Sequence, residues 1–359
     1  MRREILLSYF PKITPKRYHD LVAVFDNLDR AWQCGFDDYK KIGWEDELIS
    51  EFLKWRGTVD EEKIEKILKQ EKIYCLTEDD VNYPPLLKEI YDPPFCLFVR
   101  GELKPSEFML AVVGPRKFSS YGKQIAEELT RDLAGQGITI VSGLALGIDS
   151  IAHQAALDAS GITIAVLGTG INRAHIYPAA HKQLAEKIIE NNGAVISEYP
   201  PGTLPTKFTF PRRNRIIAGM SLGTLVIEAT DDSGALITAQ CALDYNREVF
   251  AVPQNITSLT ASGVNALIKN GAHPVTSAQD IFDALNLRDV KQFVANREII
   301  PDSPAEAEII KHLAREPIHV DQLVKLSGLD SPAVNSTLVL MEMKGKVRNL
   351  GGMMYVLSK

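Results

Sequence analysis

The sequence predicts a doubly wound, mostly parallel α/β domain, preceded by a small all-α domain and followed by a winged-helix domain. Three patterns carry this expectation. Between residues 108 and 279, six short apolar runs alternate with amphipathic stretches of helical spacing. Residues 1–70 show helical spacing alone. The tail after Ser303-Pro304 reads as three helices and a hairpin.

In the N-terminal part, apolar residues recur at helical steps: Leu21, Val24, Phe25 and Leu28, then Ile49, Phe52 and Leu53, then Ile64, Ile67 and Leu68. This gives a small helical (SAM/helix-hairpin-helix-like) domain over 1–70. Residues 71–107 form a bridge, with turns marked by the Pro pairs after Tyr83 and Asp92. The strands expected next are 109–113, 138–141, 162–167, 194–196, 224–227 and 249–252. The helices expected with them are 122–135, 149–159, 179–191, 211–220, 233–246 and 262–270. Continuous rather than alternating apolar strands imply a parallel sheet buried on both faces. The main domain is assigned to 71–287, a polar linker to 288–303, and the winged helix to 304–359. Within the last, helices are expected at 304–315, 319–327 and 331–344, with hairpin strands at 346–350 and 353–357.

With 45% hydrophobic and 24% charged residues, the composition is that of a soluble globular protein. No run of about 18 apolar residues and no basic-then-apolar leader occurs, so a cytoplasmic protein without a membrane span is expected. Cys34, Cys75, Cys96 and Cys241 are far apart, which suggests reduced thiols, no metal and no cofactor. The net charge of -6 is unevenly placed: residues 1–107 hold 17 Lys+Arg against 22 Asp+Glu, whereas residues 108–279 hold 13 of each. Acid-free windows recur at 108–126, 159–185 and 199–227, each spanning a strand-to-helix loop that carries Arg or Lys.

The most basic of these stretches is Lys207-Phe-Thr-Phe-Pro-Arg-Arg-Asn-Arg215. Pro211 is expected as the first helical residue, which would crowd Arg212, Arg213 and Arg215 into the turn where the macrodipole disfavours cations. A phosphate is then the missing partner. At 100° per residue Arg213 aligns with Ile216, Ile217 and Met220 and faces the sheet, while Arg212 and Arg215 fall to the solvent side. Phe208 and Phe210 interleave with the cations in the manner of single-strand grooves, though Phe210 also fits a hydrophobic staple.

Open α/β sheets bind ligands beyond the carboxyl ends of their strands. There the sequence places Gly114-Pro-Arg116, the Ser142–Gly147 loop, Gly168-Thr-Gly170, Ser197-Glu198 and Glu228. Small residues let amides approach a phosphate, although Gly168 and Gly170 fit tight turns as well. Asp149 is expected to cap the helix starting at Ser150, and His153 to be packed. Gly168–Gly170 lacks the third glycine and the later acid of a dinucleotide fingerprint. No catalytic constellation emerges. Glu228 fits a catalytic carboxylate or the buried partner of an arginine.

Further motifs complete a pattern: Ser119-x-Tyr121-Gly122, Val166-Leu-Gly-x-Gly170, Tyr177-Pro178, Ile196-Ser-Glu198, Phe210-Pro-x-Arg-Asn-Arg-Ile-Ile217, Ser233-Gly-x-x-x-Thr-Ala239 and Gly263-x-Asn-x-Leu-Ile-x-x-Gly-Ala272. Over residues 75–275 the chain resembles the bacterial DNA-processing family DprA (Smf), and its flanking regions look like domains many members carry. The resemblance implies an extended Rossmann-like, non-enzymatic domain that dimerises and binds single-stranded DNA. It also implies protection of incoming DNA in natural transformation, loading of RecA, and interplay with single-strand binding protein. By motif position, Arg116, Ser142, Gly143, Gly168, Gly170, Lys207, Phe210, Arg213, Asn214 and Arg215 would hold the DNA. Asn265, Leu267 and Ile268 would serve the dimer and RecA surface. Pro115, where the family usually has Ser or Thr, and Gln254, where it has Gly, depart from the pattern.

Two other readings remain open in the sequence. One is a nucleotide-acting glycosidic-bond hydrolase using Glu228, against which Gly223-Thr224 enters a strand rather than a helix-opening loop. The other makes the winged helix the principal DNA reader. Its candidate recognition helix is poor in cations, leaving Lys344, Lys346 and Arg348 near the hairpin as an accessory contact.

Overall fold

The computed structural model describes residues 1–25, 27–104, 108–287, 303–313, 318–343, 346–349 and 351–357. The expected linker thus falls, but for Ser303, outside the described residues, as does Lys344. The chain forms two compact units, Met1–Asn286 and Leu287–Lys359.

The first unit opens with six helices: α1 (Arg3–Ser8), α2 (Pro15–Val24), α3 (Leu28–Gln33), α4 (Phe36–Lys41), α5 (Asp46–Arg56) and α6 (Glu61–Gln70). Short polar residues start several of them. Thr14, Asn27 and Asp60 each accept a hydrogen bond from an amide three residues on, and Pro15 takes the first helical position of α2. Their apolar faces meet around Phe52, whose ring packs edge-on to those of Phe10, Tyr39 and Trp44. The same apolar cluster continues onto the sheet through Phe98, Ala165 and Val195.

A nine-stranded sheet follows: β1 (Tyr74–Leu76), β2 (Leu97–Gly101), β3 (Met109–Val113), β4 (Thr139–Ser142), β5 (Thr163–Val166), β6 (Ala194–Ser197), β7 (Gly223–Val226), β8 (Glu248–Ala251) and β9 (His273–Pro274). Its order is β1-β2-β6-β5-β4-β3-β7-β8-β9. Strands β3 to β9 run parallel, while β2 pairs antiparallel with β6 and β1 with β2. The helices are α7 (Pro85–Lys88), α8 (Ser120–Gly135), α9 (Ile148–Asp158), α10 (Lys182–Glu190), α11 (Thr209–Gly219), α12 (Gly234–Asp244), α13 (Ser262–Lys269) and α14 (Ala278–Ala284).

The doubly wound, mostly parallel sheet is present, and every residue of β3 to β7 is buried, as continuous apolar strands require. One face packs Val99, Ala111, Val141, Ile164 and Val226 against Ile216 and Ile217 of α11 and Ala239 of α12. Strands β1, β2 and β9 were not expected. The first two lie in the Pro-rich bridge, where strands of three and five residues are too short to show a period. Their pairing also sets Cys75 beside Cys96, with Cα atoms 6.3 Å apart, within the span of a disulfide.

The second unit contains α15 (Pro304–His312), α16 (Val320–Ser327) and α17 (Ser331–Met343), with β10 (Ile318–His319), β11 (Val347–Asn349) and β12 (Met354–Leu357) in an antiparallel sheet ordered β10-β12-β11. The third strand, β10, is added to the expected hairpin. Ile309, Leu323, Val334, Leu338 and Tyr355 form its core. Lys346, expected as part of a basic approach, is tied to the buried Glu306 at 2.7 Å.

Candidate nucleic-acid interface

From β3 the chain winds outward through β4, β5 and β6, then returns to add β7 beside β3. Loops leaving β3 and β7 therefore diverge to opposite faces and leave a crevice beyond their carboxyl ends. A cavity of about 600 Å³ opens there. Gly114-Pro115-Arg116 follows β3, Gly143 to Leu146 follow β4, and Thr230 to Gly234 follow β7. Lys207 and the inner face of α11 close one side, and Tyr177-Pro178 the mouth.

Helix α11 begins two residues earlier than expected, at Thr209. The Thr206 hydroxyl accepts from the amides of Phe208 and Thr209, and the Thr209 hydroxyl donates to the Thr206 carbonyl. Pro211 thus occupies the third position, where a backbone N–H would still lack an intrahelical partner. The arginines consequently start in the fourth position, past the strongest part of the dipole.

Arg213 faces the crevice and is 5% exposed. Its Nη1 donates to the Gly143 carbonyl at 2.7 Å and to the Val166 carbonyl, and its Nε donates to Asn214 Oδ1 at 3.2 Å. Burial lowers its pKa to about 10, opposed by the charge of Asp149. Asp149 does not cap α9. The helix starts at Ile148, and the Asp149 carboxylate accepts from the amides of Gly143 at 3.1 Å and Ala145 at 3.3 Å. Burial raises its pKa, against the pull of Arg213 and these amides. Gly143 is thereby held at both ends of its backbone. A Cβ there would lie 2.5 Å from Arg213 Nη2, so a larger residue would displace that guanidinium from its carbonyl partners.

Above this floor stand the exposed Arg116 and Lys207. The Arg116 guanidinium lies 6.0 Å from the centre of the Phe210 ring, which also packs against Tyr177 at 5.6 Å. Lys207 Nζ lies 5.1 Å over Phe208, a ring 73% exposed. The opposite wall carries Asp232, whose pKa is lowered by the Thr230 hydroxyl donating to it at 2.6 Å.

The structure brings Arg116, Gly143, Lys207, Phe210, Arg213 and Asn214 together around the cavity. Four nominated residues lie elsewhere. The Ser142 hydroxyl is buried and donates to the Val112 carbonyl at 2.7 Å. Gly168 backs onto Thr209 and Phe210, and Gly170 donates to the Thr203 carbonyl at 3.0 Å. Arg215 is not solvent-facing but 5% exposed. It pairs with Glu198 at 2.5 Å, donates to the Asp92 carbonyl at 2.6 Å and meets the Asp92 carboxylate at 3.2 Å. The same Glu198 lies 3.5 Å from Arg212. An internal carboxylate therefore supplies much of the counter-charge that the sequence reading left to a phosphate.

Glu228 is fully buried, away from the cavity lining, and its partners are not arginines. It accepts from the Ser119 amide and hydroxyl at 2.9 and 2.5 Å, from Thr260 at 2.9 Å and from Gln254 at 3.3 Å. Gln254 thus takes a bracing role that glycine could not perform. His153 is packed as expected, its Nδ1 2.7 Å from Thr163 Oγ1. Asn265 exchanges two hydrogen bonds with the Gln254 backbone, while Leu267 and Ile268 are half-buried against the main core. Among the described residues there is no group of three or more metal-binding side chains, and no helix is long and apolar enough to cross a membrane.

Tyr177, Asp232, Leu146 and Ile237 also line the cavity and were not nominated. Tyr177-Pro178 was visible only as part of a motif. Asp232 follows a strand by six residues, too far to be read as a strand-end position.

The family profile described as DNA recombination-mediator protein A matches residues 74–286, and that of the DprA winged helix domain matches residues 294–353. Protein Smf of Escherichia coli is 40% identical over 292 residues, covering 79% of this chain and 78% of the relative. DNA processing protein DprA of Streptococcus pneumoniae is 44% identical over 231 residues, covering 64% and 80%. The X-ray structure of DprA from S. pneumoniae superposes with a TM-score of 0.68 at 37% identity over 78% of this chain and 96% of that one. A Helicobacter pylori DNA processing protein A structure, described for its single-stranded DNA binding mode, matches with a TM-score of 0.54 at 30% identity, covering 60% and 96%.

Proposed function

The chain belongs to the DNA recombination-mediator protein A family, and from that premise we propose that it binds single-stranded DNA as a recombination mediator without catalysis of its own. The observation that carries this reading is that exposed Arg116 and Lys207 line one crevice with Phe210, the Arg116 guanidinium 6.0 Å from the centre of that ring. Exposed cations beside aromatic faces suit a single strand and make no demand on base sequence. The saturated, buried Glu228 favours a bracing role over hydrolysis.

Within this reading the cytoplasmic protein protects incoming strands during natural transformation and passes them to RecA, in interplay with single-strand binding protein. It acts as a homodimer through the α13 face containing Leu267 and Ile268. The similarity to DNA recombination-mediator proteins supports these finer steps. The test is fluorescence anisotropy with oligo-dT across a salt series for wild type, Arg116→Ala, Lys207→Ala and Phe210→Ala. Each variant should bind more weakly. Wild-type affinity and salt slope in all three would reject the site.

A further inference from the structure

The first turns of α11 border two cavities. Phe210 and Arg213 line the crevice already described, whereas Arg212, between them in sequence, lines a second cavity of about 630 Å³. Its other walls come from Lys16 and His19 of α2 and from Tyr91 and Asp92 of the bridge before β2. Tyr91 is 75% exposed, with its ring centre 5.1 Å from that of Tyr245 and the two planes tilted by 55°. Lys16 and Arg212 are also exposed. Of the two carboxylates at this cavity, Asp92 is spent on Arg215 and on the Tyr245 hydroxyl, leaving Asp20.

We propose that this second cavity is a further nucleotide subsite, which receives the single strand after it crosses the head of α11 from the main crevice. Resting on the single-strand reading of the first crevice, the proposal extends the footprint onto the helical N-terminal region. Arg212 and Lys16 contact phosphate, and Tyr91 offers a ring held at a fixed angle by Tyr245 for a base to stack on. Phe208 and Lys207 are exposed at the start of α11, the helix that borders both cavities. Continuity through one helix makes a strand already bound in the first crevice the occupant, since its next nucleotides arrive at high effective concentration.

The experiment compares full-length wild type with Arg212→Ala, Tyr91→Ala and Lys16→Glu, using a short oligo-dT of about 6 nucleotides, near the lower end of single-strand site sizes, and a long one of about 20, beyond their upper end. The variants should bind the short oligonucleotide within about twofold of wild type and the long one roughly five- to tenfold more weakly, with a salt slope shallower by about 0.7 for each lost phosphate. Wild-type affinity of all three for the long oligonucleotide overturns the subsite alone. Equal loss on both lengths also overturns it, by placing these residues in the first crevice. A wild type that binds neither length removes the functional reading and the subsite together.

Discussion

Glu198 Oε2 accepts from Arg215 Nη2 at 2.5 Å, and the other carboxylate oxygen lies 3.5 Å from Arg212 Nε. One acid at the end of β6 thus holds two of the four cations in the basic run, and it does so from a site where Glu198 and Arg215 side chains are 8% and 6% exposed. Removing one charge from a buried pair leaves the other uncompensated. Glu198→Gln should cost about 3 kcal/mol of stability in urea unfolding, at the low end of such losses because Asp92 remains with Arg215.

Arg213 is part of the crevice and also part of its foundation. Lysine keeps the charge but cannot reproduce the fork that reaches two carbonyls. Arg213→Lys should lose about 1.5–3 kcal/mol of stability, the range for hydrogen bonds to charged groups. Single-strand affinity should fall with it as the Gly143 loop loosens, so unfolding and binding must be measured on the same preparation.

In the proposed reading, Phe210 and Lys207 serve binding rather than the fold. Phe210→Ala should weaken oligo-dT binding by roughly 1–3 kcal/mol through lost stacking, with an unchanged salt slope. Lys207→Ala should instead reduce the log–log slope by about 0.7. Anisotropy titrations at several salt concentrations separate the two effects.

Glu228 accepts four hydrogen bonds, and an amide in its place would turn a donor toward other donors. Glu228→Gln should cost about 1–3 kcal/mol of stability while oligo-dT affinity stays unchanged. Wild-type protein should release no base from nucleoside monophosphates. Base release abolished by this substitution would restore the hydrolase reading.

His153 is buried, and burial lowers its pKa from 6.5 to about 3, with the charges of His181 and Arg213 adding to the effect. The unfolded chain therefore takes up a proton that the folded chain refuses. The contribution is fully present above pH 6.5 and is lost as pH falls toward 3, at up to about 1.4 kcal/mol per pH unit. Urea unfolding from pH 7 to pH 5 should show a shallower decline for His153→Gln than for wild type. Equal slopes would remove His153 as the cause.

The central sheet was legible in the sequence because strands buried on both faces must be apolar throughout, and the helices between them must not be. The glycine loops and the basic run could be placed at its carboxyl ends for the same reason. The bridge strands β1 and β2 were hidden, since their Pro-rich surroundings carry no period. Helical periodicity also put Arg213 on the inner face correctly. It failed for Arg215 because facing away from the sheet does not mean facing water when another segment of chain, here Asp92 and its neighbours, lies over that side.

The sequence by itself determined the fold class and the crevice loops, and it nominated the residues that could meet a phosphate. Only the tertiary structure decided which cations are left to do so. Glu198, Asp149 and Asp92 lie outside the basic run, and no spacing rule connects them to it. Charges find their partners by distance in space, and folding alone brings these acids to the buried Arg213 and Arg215, and Glu198 to one edge of Arg212, while leaving Arg116, Lys207 and the rest of Arg212 exposed.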